Sequence, residues 1–321
     1  MKNILPTSPA GEKIPTTTEN IFQSPSVQVA DILDETFSTC SFVPVQLDPR
    51  PNAVNPEVHF GVEITIPGYE NITNLDHHRP GDTNETPSSA EQALTCELPK
   101  SGINIATVRP DADSMTAMAV LNLRMNNVAF DETLVREIGK FDRLGPSAGE
   151  MSIPVSAIWE LASDFSKNME ARVLLISRIL IGKMSEKEME EIASKRVQKL
   201  EDARKNSTIE VREPQGVKIA IVESSHRFAT NLGYELAPVV LAKNPIMPVD
   251  FKDPSKGTYV KYTICRYDSN VPCDIESIMK SLQTLESGWG GRGDIIGSPQ
   301  GVSSVLSTEK VMEIVSFYSM T

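Results

Sequence analysis

Asp76-His77-His78 places two of the chain's four histidines side by side behind a carboxylate. A neutral imidazole binds a divalent ion through one ring nitrogen, and a carboxylate on the other nitrogen fixes its tautomer. The triplet follows a strand-like run, Val58 to Ile66, and precedes Arg79-Pro80-Gly81-Asp82. It therefore reads as a metal corner at a strand end, or as a solvated turn before Pro80. A second cluster, Arg109-Pro110-Asp111-Ala112-Asp113-Ser114, breaks a β-branched strand over Ile103 to Val108 ahead of an apolar helix, Met115 to Leu123. Two carboxylates spaced i, i+2 between strand and helix can converge on one cation. Alternatively one of them caps the helix, and a cap needs only one.

A third stretch runs Ser287-Gly288-Trp289-Gly290-Gly291-Arg292-Gly293-Asp294-Ile295-Ile296-Gly297. Its repeated glycines let backbone amides come close to an anion, and Arg292 adds a planar fork of donors. The same letters fit a tight turn that buries Trp289.

These residues need elements to hold them. Period-2 alternation from His59 to Glu63 puts His59, Gly61 and Glu63 on one strand face. After Leu123 the pattern turns helical over Asp131 to Ile138 and Ile158 to Phe165, with Phe141-Asp142-Arg143-Leu144-Gly145-Pro146 between them as a loop. There Asp142 either closes a metal shell or pairs with Arg143. Asn168 to Lys205 reads as two helices around Gly182, their interleaved charges forming a solvated face. A change of composition at Asn206 to Gly216 marks a boundary. Beyond it, β-rich segments over Val217 to Val222, Pro238 to Ala242 and Tyr259 to Tyr267 precede a helix from Ile275 to Leu285. Residues 1–28, rich in Pro, Thr and Ser, read as an irregular arm, and Val27 to Phe37 as a first helix.

The 321 residues, 40% hydrophobic, are enough for two domains with cores of their own. A net charge of −12 and a pI near 4.9 argue against a surface that grips long nucleic acid, which needs a basic stripe. A small nucleotide drawn in by a bound cation is compatible. Cys40, Cys96, Cys265 and Cys273 are too scattered for a zinc knuckle, and a chain of this length needs no disulfide framework. No run reaches the roughly 20 apolar residues of a membrane span, and Met1 to Thr17 lacks the apolar core of a signal peptide. A soluble, cytoplasmic protein is expected.

Asp76-His77-His78 with Ser88-Ser89-Ala90-Glu91 opening the next helix, Pro110-Asp111-Ala112-Asp113-Ser114 and the glycine-rich segment together resemble the DHH phosphoesterase superfamily. That group includes family II inorganic pyrophosphatases, single-strand exonucleases, nanoRNases and cyclic dinucleotide phosphodiesterases. The resemblance implies an α/β fold of two domains. Residues 29–205 would form a mostly parallel-sheet DHH-like domain with a helical connector, and residues 216–321 a smaller β-rich α/β domain of the DHHA1-like kind. It implies hydrolysis of a phosphoester or phosphoanhydride in a small nucleotide, short oligonucleotide or other small phosphorylated substrate, with Mn²⁺ (or Mg²⁺) as cofactor. His77, Asp111 and Asp113 would be metal ligands, and Glu63 the counterpart of an acidic ligand on the strand before the triplet. Asp76 would orient, and His78 would contact phosphate or donate a proton. Gly290, Gly291 and Arg292 look like the family's Gly-Gly-Gly-His substrate loop with Trp289 inserted and Arg292 in the histidine's place. Arg266 is similar to an arginine that the family sets on substrate phosphate. Two departures stand. The family's His-x-x-x-Asp-x-Asp element normally precedes Asp-His-His, whereas the Asp-x-Asp follows it here, and Thr107 stands where that histidine would be. A nucleotide-binding protein that kept the fold and lost the metal chemistry is therefore the alternative. The partners expected are a small phosphorylated substrate, no long nucleic acid and no membrane; a homodimer is compatible.

Overall fold

The computed structural model describes residues 45–47, 58–66, 68, 71–79, 82, 85–100, 104–107, 110–250, 253–268 and 270–320. The expected arm over 1–28 and helix over Val27 to Phe37 lie outside them.

Four short strands, β1 (Val45–Leu47), β2 (Phe60–Val62), β3 (Thr73–Leu75) and β4 (Ile105–Thr107), form one sheet in the order β1-β4-β2-β3, every pair parallel. Parallel strands end at the same edge, and that edge is where open α/β sheets bind ligands. Val62 lies opposite Leu75 and Phe60 opposite Ile105, so Glu63 and Asp76 leave the sheet side by side, with β4 paired on the other flank of β2. The strand expected from Val58 to Ile66 is shorter than its alternation suggests. It ends at Val62 because Glu63 takes a left-handed backbone, φ 56°.

Among the described residues six helices follow in this half of the chain, the first two of them against the sheet: α1 (Ser89–Ala93), α2 (Ala112–Met125), α3 (Glu132–Leu144), α4 (Ile153–Ala162), α5 (Met169–Leu180) and α6 (Glu186–Lys205). Every residue of α2 from Ala112 to Leu123 is buried, which makes it the central helix and erases any amphipathic stripe. Against it α3 sets Leu134, Val135, Ile138 and Phe141 at helical spacing. Helix α3 starts at Asp131, whose side chain accepts the Thr133 and Leu134 amides, and runs on to Leu144, where Gly145 stops it at φ 52°. The Phe141 to Leu144 segment expected as a loop is thus the last turn of a helix. Gly182, at φ 68°, separates α5 from α6 as the sequence suggests. Among α6 residues only Ala203 is buried, leaving a charged, solvated face.

The second sheet holds β5 (Thr208–Arg212), β6 (Ile219–Glu223), β7 (Val239–Pro248), β8 (Thr258–Arg266), β9 (Gly290–Arg292) and β10 (Ile295–Gly297) in the order β5-β6-β7-β8-β10-β9. Only β6 and β7 pair in parallel. Strand β5 lies inside the stretch read as a boundary, pairing Thr208 with Glu223. Helices α7 (Ala229–Tyr234), α8 (Ile275–Leu285) and α9 (Thr308–Phe317) accompany this sheet. Ile219, Leu241, Tyr262, Ile264, Ile278, Leu282 and Trp289 form a core of their own, separate from the one around α2. No helix among the described residues is long and apolar enough to cross a membrane.

One glycine sets how closely α3 approaches α1. A Cβ on Gly139 would fall 2.5 Å from Ser88 Oγ and 2.7 Å from Glu91 Cδ. Gly139→Ala gains about 1 kcal/mol of helix propensity but must push α1 aside, at a cost of about 1–3 kcal/mol. Net destabilisation is expected as a lower urea midpoint; a raised midpoint would show that α1 yields freely.

Candidate metal centre

The triplet begins as β3 ends, and Asp76 shapes its turn. Its Oδ1 accepts the His78 amide at 3.0 Å and lies 3.2 Å from His78 Nδ1, while Oδ2 accepts the Thr65 hydroxyl at 2.7 Å. Gln92 of α1 donates to the Asp76 carbonyl at 3.0 Å, fastening the turn to the next helix. Asp76 thus orients His78 rather than His77. Glu63 arrives from the neighbouring strand. Its amide donates to the Leu75 carbonyl at 3.0 Å, and its left-handed backbone turns the side chain into the site. A non-glycine residue held there costs of order 1–3 kcal/mol, a strain that recurs at functional sites.

His77 Nε2 is where the side chains meet. Asp142 Oδ2 lies 3.0 Å away, Glu63 Oε1 3.2 Å and Asp113 Oδ2 3.9 Å. The two shorter separations are within hydrogen-bond range, yet the buried nitrogen makes no hydrogen bond because it points at none of the oxygens. Oxygens of three carboxylates thus gather within 3.9 Å of one ring nitrogen. Two donor groups converge within 4.8 Å, one of His77, Asp113 and Asp142 and one of Glu63, His77 and His78. His78 stands at the rim, 27% exposed, with Nδ1 3.3 Å from Glu63 Oε2.

The two acidic residues after β4 divide their work. Asp111 caps α2: its Oδ1 accepts the Ser114 amide at 3.0 Å and hydroxyl at 2.9 Å, and its own amide donates to Ser114 Oγ at 2.8 Å. Its Oδ1 is thereby engaged at the start of α2, and the donor groups that converge with His77 among the described residues contain Glu63, His78, Asp113 and Asp142. Asp113, two residues on, is fully buried and accepts the Ser89 amide at 2.7 Å and the Ala90 amide at 3.1 Å. The Ser89 hydroxyl lies 2.6 Å from both Glu63 Oε1 and the Leu75 carbonyl oxygen and donates its one proton to either. Asp142, treated from sequence as a loop residue, comes closest of all to His77 because α3 carries it there.

Crowding these acids has an electrostatic consequence. Burial, then the charges of Glu63 and Asp142, push Asp111 up to about 7. Burial, then Asp142 and Glu63, push Asp113 well above the usual carboxylate range. Burial also raises Asp142, with Glu63 adding to it and His77 opposing. Burial disfavours charge on His77, but Asp142 and Glu63 outweigh it and push the imidazole up to about 10. Burial acts likewise on Glu63, where His77, Asp113 and Ser89 prevail and hold its carboxyl low. The site is short of positive charge, and protons fill the gap unless a cation does.

The residues expected to hold substrate lie on the second sheet. Arg266 ends β8, and its Nη1 donates to the Val271 and Cys273 carbonyls at 3.1 and 3.0 Å. Its Nε is buried without a partner, beside a cavity of about 670 Å³ that Gly293, Phe317 and Tyr318 also line. Gly290 and Gly291 belong to an antiparallel hairpin with β10. At Gly291, φ 150°, a Cβ would sit 2.2 Å from the Ile295 carbonyl oxygen, so the pairing itself demands glycine. The Arg292 side chain lies outside the described residues. Trp289 is buried, stacked at 15° on Tyr262, which matches the tight-turn alternative. The segment just past β8 comes near the end of α3: a Cβ on Gly145, three residues past Asp142, would lie 3.6 Å from Tyr267 Cβ.

No family model matches the chain, and no curated protein matches it. Among solved structures, a DHH domain described as a member of a family of ribosomal proteins is similar at TM-score 0.39 and 14% identity over 77% of this chain, which spans 63% of that one. A Methanococcus jannaschii protein described as a family II inorganic pyrophosphatase is similar at TM-score 0.20 and 11% identity, covering 80% of this chain and 78% of that one.

The raised groups give the metal-free protein a pH dependence of definite sign. Unfolded, Asp111 releases its proton near the ordinary value of about 4, whereas folded it holds it to about 7. His77 does the same between its ordinary value of about 6.5 and about 10. The folded state binds more protons across both windows, so stability falls as pH rises. The urea midpoint of metal-free protein should drop between about pH 5 and pH 9, and saturating Mn²⁺ should flatten or reverse the trend as it replaces those protons. A midpoint that climbs with pH in metal-free protein contradicts this account.

Proposed function

We propose that the chain is a divalent-metal-dependent phosphohydrolase acting on a small nucleotide, a short oligonucleotide or a phosphoanhydride. The observation that carries this reading is His77 Nε2, a buried ring nitrogen that faces oxygens of Glu63, Asp113 and Asp142 and hydrogen-bonds to none of them. These four residues would hold Mn²⁺ or Mg²⁺ with one imidazole and three carboxylates, donors suited to such ions. Asp111, engaged as the α2 cap, adds negative field rather than a bond. When bound, the ion supplies a water of lowered pKa and offsets charge on the phosphoryl oxygens. The chain's own part is orientation and proton transfer. Asp76 and Glu63 flank His78 Nδ1, which leaves Nε2 at the rim to donate a proton to the leaving oxygen. The cavity beside Arg266 would hold the rest of the substrate, a reading supported by the approach of Tyr267 to Gly145. The reading includes a division into two domains between Lys205 and Thr208, because β5 pairs within the second sheet.

Thr107 favours a second reading. Its hydroxyl is buried at the end of β4 without a partner, where a histidine would add a donor. A protein lacking that donor could bind nucleotide without turning it over. Mn²⁺ analysis and a turnover assay with pyrophosphate and a dinucleotide separate the two. His77→Ala should abolish Mn²⁺ uptake with circular dichroism unchanged. His78→Ala should keep Mn²⁺ and lower kcat about 10²- to 10⁴-fold, as for loss of a general acid. Full uptake by His77→Ala sinks the site; uptake by the native chain without turnover of either substrate leaves the binding protein.

A further inference from the structure

Arg143 follows Asp142 in the last turn of α3, and it reaches Glu91 in the first turn of α1. Its Nε donates to Glu91 Oε2 at 3.0 Å and its Nη2 to Oε1 at 3.1 Å, the two-pronged geometry that planar guanidinium and carboxylate favour. The side chains are 16% and 13% exposed. Exposed ion pairs contribute little, but a shielded fork fixes both partners in angle and distance. Glu91 Oε2 also accepts the Ser88 amide at 2.8 Å. The next two amides of that turn, Ser89 and Ala90, hold Asp113. One fork thus ties the turn carrying Asp142 to the turn of α1 whose amides bind Asp113. Gly139, one helical turn before Arg143, lets α3 settle against Ser88 and Glu91 at that distance.

Asp113 and Asp142 both lie near His77 Nε2, and in the ionised form that a bound cation requires they would repel each other and push their two helices apart. We propose that Glu91 and Arg143 form a positioning pair that opposes this repulsion and sets the Asp113–Asp142 separation in which a divalent cation is held. The inference rests on the metal reading above and extends it to two residues that touch neither the ion nor the substrate.

The test is Mn²⁺ affinity, measured by chelator competition on metal-free full-length protein, with the electron paramagnetic resonance line shape of bound Mn²⁺ as a second readout. Glu91→Gln and Arg143→Gln should each weaken affinity about 10- to 100-fold, the effect expected when an outer partner of a metal site is lost. The double variant should be no weaker than either single one, because the fork is already broken. Two controls on α3 expose a merely structural effect: Arg136→Gln removes the exposed Glu132 pair, and Asp131→Ala removes the helix cap. Both should leave affinity unchanged. Should the Gln variants fail to fold, Arg143→Lys keeps the charge but not the fork and should still weaken Mn²⁺ binding measurably. Native affinity in folded Glu91→Gln and Arg143→Gln, or in Arg143→Lys where it is the one that folds, overturns the proposal. So does an equal loss in Asp131→Ala. A native chain that takes up no Mn²⁺ refutes the metal reading itself, and this inference with it.

Discussion

The constraint on which this structure turns is electrostatic: several carboxylates share one buried imidazole, and burial penalises each charge. Such a cluster persists only where neighbours compensate it, and here they do so unevenly. Asp113 receives two backbone amides, Glu63 lies within reach of a serine hydroxyl, and Asp142 is followed by Arg143. His77 Nε2, with oxygens of all three around it, makes no hydrogen bond of good geometry. The arrangement is balanced around something positive at that point, a proton or a cation.

The parallel sheet explains how residues far apart in sequence come to that point. Val62, Leu75 and Thr107 close their strands at one edge, so the segments that follow them leave in parallel. Helix α2 then carries Asp113 inward beneath α1, and α3 packs its apolar stripe on α2 so that its final turn ends over His77. Had α3 stopped at Ile138, Asp142 would have no fixed position. The stop at Gly145 therefore matters as much to the site as any ligand.

How much of this was legible depends on range. The strand and helix that flank Asp111 and Asp113 and the break at Gly182 follow from local composition, and the structure has each of them, whereas β3, the strand that ends before Asp76, is not read from the sequence, which offers Val58 to Ile66 instead. Strand order does not follow, because parallel pairing joins residues without any local signal: Val45 with Ile105, Phe60 with Thr73. Alternation placed Glu63 on a strand, whereas its backbone has already left the sheet. Asp142 was hidden by Gly145-Pro146, whose turn chemistry suggested a loop reaching back to Phe141. The spacing of Leu134, Val135, Ile138 and Phe141 was the signal that α3 continues. In the glycine-rich segment the opposite happened. Residues that look designed for an anion are accounted for by a hairpin too tight for a Cβ at Gly291 and by a tryptophan buried against Tyr262.

A division of labour recurs at both acidic corners. Asp76, through both carboxylate oxygens, and Asp111, through Oδ1, accept nearby amides and hydroxyls and so fix a turn or start a helix. His77 and Asp113, one and two residues further on, face the centre. Geometry requires this order. The chain must first be bent out of the sheet before a side chain can be aimed back across its edge, and a short carboxylate bonded to local amides is a compact way to hold the bend. Sequence reasoning that counts acidic residues treats all of them as equivalent candidates. Local amides and hydroxyls engage Asp76 and Asp111, whereas Glu63, the first acid after β2, enters the site through its left-handed backbone and Asp113 reaches it while bonded to amides of α1.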